Sequence, residues 1–181
     1  MVKSGMKILA IDTSCDETAA AVTDGLEVLS NIIWSQASLH AKFGGVMPSL
    51  AQRKHQERID FIVNKAIKTS GVDIDDIDAI AVTIGPGLSI ALGVGIDKAK
   101  ELAKKYDKPL IPVNHVEAHI LSPLAHSKNI INFPAFGLVL SGGTTLFAVI
   151  EKIGKYKILA ETQDDALGEA LDKGARLLGL G

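Results

Sequence analysis

The five residues His115-Val116-Glu117-Ala118-His119 hold two imidazoles four positions apart. On a helix this spacing stacks both side chains on one face, one turn apart. A divalent cation can then take a ring nitrogen from each. The pattern is not the His-Glu-x-x-His of metalloproteases, where the glutamate follows the first histidine directly. Glu117 lies two positions on, about 200° round a helix, so it is expected to point away from the histidine face and not to act as a hydrolytic base. Two nitrogens are fewer than the roughly three protein ligands usual at catalytic zinc and iron, so a third must come from elsewhere. The plainer reading of the same residues is a polar helix face without a metal.

Two short polar turns form the second set of candidates. Asp12-Thr13-Ser14 and Ser141-Gly142-Gly143-Thr144-Thr145 each follow an apolar strand-like run. Small residues let backbone N–H groups approach an anion closely, and hydroxyls add donors. Facing each other, two such turns would hold a polyphosphate or a carboxylated substrate, with Asp12 set against a metal-bound water or a phosphate. Ordinary hairpin turns favour the same residues. Gly85-Pro86-Gly87-Leu88-Ser89 is a third glycine loop. It lacks the spacing of the Walker and dinucleotide loops, and tight strand-to-helix packing explains it equally well. Asp164-Asp165-Ala166-Leu167-Gly168-Glu169-Ala170-Leu171-Asp172-Lys173 is expected to open a helix. Acidic residues there suit the helix dipole, and Asp172 is a candidate for substrate hydroxyls or an amine.

The elements that must carry these residues follow from hydrophobic periodicity. Strands are expected at Lys7–Asp12, Ala19–Thr23 and Glu27–Ile33, joined as an antiparallel meander with a turn at Asp24-Gly25. A long helix runs from Pro48 to about Lys68, with an apolar stripe of Leu50, Ile59, Ile62, Val63 and Ile67. Strand Asp78–Thr83, helix Leu92–Tyr106 and strand Leu110–Val113 follow and deliver the chain to the histidine helix. Ligands of open α/β sheets bind at such strand ends. Strands Phe136–Leu140, Leu146–Glu151 and Tyr156–Glu161 then repeat the opening meander, and a helix runs from about Asp165 to Leu178. This repeat of architecture predicts two related lobes, 6–130 and 131–181, with Met1–Gly5 outside the fold.

Composition narrows the classes. With 181 residues and 47% of them hydrophobic, the chain suits one medium domain or one domain with part of a second. A formal net charge of −2 gives no basic field for unaided nucleic-acid binding. The basic cluster Arg53-Lys54-His55 with Arg58 reads as a solvated helix face. Cys15 is the only cysteine, which excludes an internal disulfide and predicts a reducing, cytoplasmic location. No apolar run is long enough to span a bilayer. Aromatic residues make up 4%, which argues against a stacking platform for single strands.

Taken in order, six motifs resemble one family: Asp12-Thr-Ser-Cys-Asp-Glu-Thr18, Gly44-Gly45 before Pro48, Gly85-Pro-Gly87, His115-x-Glu-x-His119, Ser141-Gly-Gly143 and Asp164-Asp-Ala-x-Gly-Glu-Ala-x-Asp-Lys173. The series is similar to the tRNA N6-adenosine threonylcarbamoyltransferases, once called O-sialoglycoprotein endopeptidases, from Met6 onward. The resemblance implies an α/β fold of the actin-like and sugar-kinase-like, ribonuclease H-like kind. It implies transfer of threonylcarbamoyl from threonylcarbamoyl-adenylate to N6 of the adenosine beside the anticodon, in tRNAs reading codons that begin with A. By the same resemblance His115 and His119 match metal ligands, for iron ahead of zinc, and Val139, Leu140, Ser141, Gly142, Gly143 and Asp172 match substrate-contacting positions. It also implies a nucleotide or adenylate ligand, tRNA, a paralogous non-catalytic subunit and a small ATPase as partners, and no membrane. No general base is named.

Three departures stand out. Thr144 replaces the family's usual histidine, Ala118 replaces a frequent glycine, and the family extends well past residue 181 to an aspartate metal ligand. A truncated member with an incomplete site and impaired transfer is therefore expected, together with self-association through an uncovered second lobe. The alternative is a non-catalytic actin-like scaffold that dimerises with a catalytic paralogue; the paired histidines argue against it. A small-molecule kinase of the same superfamily ranks lower because it needs a catalytic aspartate in the far lobe's glycine region, which these residues do not supply, and a peptidase ranks lower because Cys15 has no histidine partner at a defensible spacing.

Overall fold

The computed structural model describes residues 5–125, 127 and 131–180. Most of the expected extension of the chain before Met6, and residue 130 at the expected lobe boundary, lie outside these residues. The described chain forms two compact units. One runs to Ala118 and takes in Leu124; the other holds His119–Pro123, Ser127 and the chain from 131 onward.

The first unit is built on β1 (Lys7–Asp12), β2 (Glu17–Asp24), β3 (Glu27–Ser35), β4 (Ala79–Gly85) and β5 (Leu110–Asn114). Their order across the sheet is β3-β2-β1-β4-β5. β1, β2 and β3 pair antiparallel, whereas β4 pairs parallel to both β1 and β5. Period-2 alternation sends Leu9 and Ile11 of β1, and Ala20 and Val22 of β2, into one core. Two helices cover that face, α2 (Pro48–Ser70) and α3 (Ser89–Lys105). Ile59, Ile62, Val63 and Ala66 of α2 are buried there, at helical spacing. β4 is buried from Ala79 to Thr83 on both faces, as a central parallel strand should be.

Between β3 and α2 the chain makes a short helix, α1 (Ala37–His40), and turns through Gly44 at φ 67°. A glycine suits this left-handed conformation. The segment is tied down by buried polar side chains. His55 was expected on a basic solvated face; it points inward instead and is fully buried. Its Nε2 donates to the Cys15 carbonyl at 3.0 Å, and a carbonyl can only accept, so Nδ1 accepts from the Thr18 hydroxyl at 2.8 Å. His40 follows the same logic: Nδ1 accepts from the Met47 N–H at 3.3 Å and Nε2 donates to Gln36 Oε1 at 3.1 Å. Arg58 does stay on the outer side, stacked over Trp34 at 5.2 Å.

The second unit carries β6 (Ala135–Leu140), β7 (Thr145–Lys152) and β8 (Lys155–Glu161) as an antiparallel sheet in that order. Helix α5 spans Leu167–Leu177, so it starts two residues later than expected. The reason is local. Ala166 is extended and buried, and the Leu167 N–H is taken by Thr145 Oγ1 at 2.8 Å. Asp164 and Asp165 therefore precede the helix and are not its dipole-matched first turn. α3 starts three residues earlier than expected, because the Leu88 N–H is anchored on the Ser14 carbonyl at 2.8 Å.

Burial holds the His55 pKa below its usual 6.5. The unfolded chain then binds more protons in acid, so this contribution is present above pH 6.5 and is lost as pH falls below it. Tm measured from about pH 7.5 down to about pH 5 should fall with a shallower slope in His55→Gln than in the wild type. Equal slopes would contradict a buried neutral imidazole at this position.

Candidate functional site

The carboxyl ends of β1, β4 and β5 lie side by side because the three strands run parallel in register, Ile11 against Val82 and Val82 against Pro112. Helix α4 (His115–Leu121) begins at once after β5. Asn114, the last strand residue, caps it: its Oδ1 accepts from the N–H groups of Val116 at 2.9 Å and Glu117 at 3.1 Å. The two histidines thus sit one turn apart on a helix whose start is fixed to a strand end, with His115 half-buried and His119 exposed. Among the described residues no three His, Cys, Asp or Glu side chains gather as a metal cluster.

Asp12 ends β1 and is drawn into this ground. Its Oδ1 accepts from the Ser14 N–H at 2.9 Å and the Ser14 hydroxyl at 2.7 Å. Its Oδ2 accepts from the Thr83 hydroxyl at 2.5 Å and lies 3.3 Å from His115 Nδ1. Burial alone would raise the carboxyl pKa, but the bonds from His115, Thr83 and Ser14 outweigh it and hold the group well below the usual carboxylate range. The same bond with Asp12 raises the His115 pKa above 6.5, against an opposing effect of burial. Asp12 and Thr83 also border a cleft of about 190 Å³, whose wall includes Ala19, Ala81, Val113 and Ala118.

The hydroxyls of the first turn are not offered to an anion, contrary to the sequence expectation. Thr13 is 1% exposed; its Oγ1 donates to the Ala91 carbonyl at 2.8 Å and accepts from the Gly95 N–H at 3.1 Å. Ser14 is 5% exposed and its hydroxyl is spent on Asp12. Buried hydroxyls must find partners, and these find them within the fold. The glycines nearby serve the same clamp. A Cβ at Gly95 would meet Thr13 Oγ1 at 2.6 Å, and one at Gly87 would meet the Ser14 carbonyl at 2.5 Å. Gly87 thus has the packing role that competed with a phosphate-loop reading. Cys15 beside this turn is no ready nucleophile: burial and the neighbouring Asp16 push its thiol up to about 11. His55 reaches its carbonyl, not its sulfur.

The second polar turn, in the other unit, is closed by its own ends. Ser141 N donates to the Thr144 carbonyl at 2.8 Å, and Ser141 Oγ accepts from Thr144 N at 3.0 Å. Gly168 of α5 packs on it, donating to the Ser141 carbonyl at 3.1 Å. Gly142 and Gly143 behave differently. A Cβ on either would meet nothing within 4 Å, and neither has a positive φ. Leu140 is exposed, but the Val139 side chain is buried at 4%, so contact with a ligand there would run through the backbone. On α5, Lys173 pairs with Asp165 at 2.6 Å and Glu169 at 3.0 Å. This accounts for two of the clustered carboxylates and leaves the Asp172 side chain exposed beside them.

A Cβ at Gly168 would lie 2.7 Å from Gly142 Cα and 2.8 Å from the Ser141 carbonyl, both backbone atoms. Gly168→Ala should therefore destabilise the second unit by about 1–3 kcal/mol from overpacking, partly offset by helix propensity. Amide shifts at 141–144 should move with it in an HSQC spectrum. An unchanged turn and a raised Tm would contradict the contact.

Comparison with known proteins places the chain. The family profile described as TsaD, tRNA N6-adenosine threonylcarbamoyltransferase, matches residues 27–181. The tRNA N6-adenosine threonylcarbamoyltransferase of Clostridium perfringens is 57% identical over 175 residues, covering 96% of this chain and 51% of the relative. That of Clostridium novyi is 53% identical over 177 residues, covering 97% and 52%. The chain spans about half the length of the curated relatives it matches. Among solved structures, YeaZ from Pseudomonas aeruginosa superposes with TM-score 0.51 at 20% identity, covering 87% of this chain and 66% of that one. The ethanolamine utilization protein EutJ from Carboxydothermus hydrogenoformans gives TM-score 0.50 at 18% identity, covering 96% and 57%. At these identities the likeness concerns the fold alone, an α/β fold with a mixed sheet. With the family profile running from residue 27 to 181 and relatives more than half identical along nearly all of it, the chain belongs to the tRNA N6-adenosine threonylcarbamoyltransferase family.

Proposed function

We propose that the protein takes part in transferring a threonylcarbamoyl group from threonylcarbamoyl-adenylate to N6 of the adenosine next to the anticodon, in tRNAs reading codons that begin with A. The observation that carries this reading is the capped helix at the end of β5, which holds His115 and His119 one turn apart beside the Asp12 carboxylate. The donor set fits a borderline cation such as iron or zinc, with iron favoured: imidazole nitrogens suit both, and a carboxylate backs the first ring. Bound there, the metal would supply Lewis-acid polarisation of an oxygen of the donor.

The other residues have roles in this reading. Backbone groups of Val139, Leu140, Ser141, Gly142 and Gly143 would lie against the adenylate. The support is that Gly142 and Gly143 are needed neither for packing nor for a left-handed backbone, so their missing side chains leave room for a ligand. Asp172 would bind a substrate hydroxyl or amine from its exposed place on α5. Asp12 touches His115 where the phosphate side of a nucleotide would pass. Residues 6–130 and 131–181 are read as a first lobe and the start of a second. No described side chain is assigned as general base.

A net charge of −2 makes tRNA binding dependent on other chains, and a paralogous non-catalytic subunit and a small ATPase are the proposed partners. No helix among the described residues is long and apolar enough to cross a membrane, and a cytoplasmic site of action is proposed. Self-association is proposed through β6, an edge strand that presents Phe136, Leu138 and Leu140 at 71%, 61% and 53% exposure. Light scattering should show dimers or larger species, and a monodisperse monomer would contradict that.

The main test is metal titration of the purified chain with transfer measured alongside. Iron(II) or zinc should bind with one site per chain, and His115→Ala or His119→Ala should weaken binding at least about 10-fold. Supplied with both partners, threonylcarbamoyl-adenylate and tRNA, the wild type should outpace both variants in forming the modified nucleoside. Equal metal binding by wild type and both variants would overturn the proposal.

A further inference from the structure

We infer that Asp12 is a positioning residue for His115: its carboxylate accepts a hydrogen bond from Nδ1–H, so that Nε2 is the nitrogen presented to the metal. This rests on the proposed metal role of His115. The sequence gives no hint of the pairing, since the two residues are 103 positions apart and share no motif. The geometry supplies it. Asp12 Oδ2 stands 3.3 Å from His115 Nδ1, and the other partners of this carboxylate, the Ser14 N–H, the Ser14 hydroxyl and the Thr83 hydroxyl, are all donors, so it acts as an acceptor throughout. Nδ1 must then carry the proton, and in the neutral ring the lone pair falls to Nε2. Metal-bound histidines commonly have such a carboxylate on the second nitrogen, which fixes both tautomer and ring orientation.

Asp12 is itself held on both oxygens. Ser14 gives Oδ1 two bonds, at 2.9 and 2.7 Å, and Thr83 gives Oδ2 one at 2.5 Å. These donors also determine what an amide would do in the same place. In Asp12→Asn, the two Ser14 donors require an oxygen on their side, so the NH2 takes the position of Oδ2. The Thr83 hydroxyl can rotate to accept from it. His115 Nδ1 cannot donate to an NH2 group and must accept, which moves the ring proton to Nε2. A near-isosteric change of one atom therefore turns the metal-facing nitrogen into a donor.

The test uses the 181-residue chain with two readouts. In metal-free protein, ring 15N shifts of His115 should report Nδ1–H in the wild type and Nε2–H in Asp12→Asn. The zinc Kd should rise about 10–100-fold in Asp12→Asn. Thr83→Val should raise it less, and Thr83→Ser, which keeps the hydroxyl, should restore it. If Asp12→Asn does not fold, the Thr83 pair decides by the zinc Kd: a rise in Thr83→Val that Thr83→Ser reverses supports the inference, and an equal Kd in both overturns it. An unchanged tautomer or an unchanged zinc Kd in Asp12→Asn overturns the inference while leaving the metal proposal standing. If the wild type binds no zinc or iron, the metal proposal fails, and the ring shifts still decide whether Asp12 sets the His115 tautomer.

Discussion

A carboxylate half-removed from water at the end of β1 sets the terms for the site. Desolvation disfavours the charged form of Asp12, and directed hydrogen bonds outweigh it in favour of the carboxylate. Those bonds come from three strand ends: Ser14 beyond β1, Thr83 on β4 and His115 just past β5. A one-residue slip between β1 and β4, or between β4 and β5, would turn Thr83 or the start of α4 to the wrong face. The parallel register thus brings the donors together on one carboxylate, with the first histidine among them.

Close approach between elements is the second constraint, and glycine position shows where it operates. Gly87 and Gly95 let α3 and its leading loop come within contact of Thr13 and Ser14, and Gly168 lets α5 sit on the turn at Ser141. In each case a methyl group would strike a named atom closer than 3 Å. Gly142 and Gly143 meet no such limit. Neither relieves a clash or a strained φ, so both leave open space at the turn, where the proposed adenylate contact would lie.

The elements were largely legible in the sequence because their signals are local. Alternation in β1 and β2, the apolar stripe of α2, and the Asp24-Gly25 hairpin each need only a short window. The histidine pair was legible for the same reason, and Asn114 ahead of it carries a cap signal of the same local kind. What was missed is long-range. The bonds from Thr83 to Asp12 and from His55 to Cys15 cross 71 and 40 positions, and no window contains both partners. His55 sits among Arg53, Lys54 and Arg58, so its neighbours suggested a solvated face although the helical phase placed it with Ala51, Ile59 and Ile62. The start of α5 was misplaced because Asp164 and Asp165 look like a dipole-matched first turn, while a single hydroxyl, Thr145 Oγ1, fixes the first helical N–H two residues later.

X-ray absorption at the zinc or iron edge, on the chain loaded with one equivalent of metal, addresses the central claim most directly. For zinc, a shell with two imidazole nitrogens at about 2.0–2.1 Å and the outer-shell scattering of their rings is expected. One imidazole should remain when His119 is replaced by alanine. A spectrum without imidazole scattering, or one unchanged when His115 and His119 are both replaced, would contradict it.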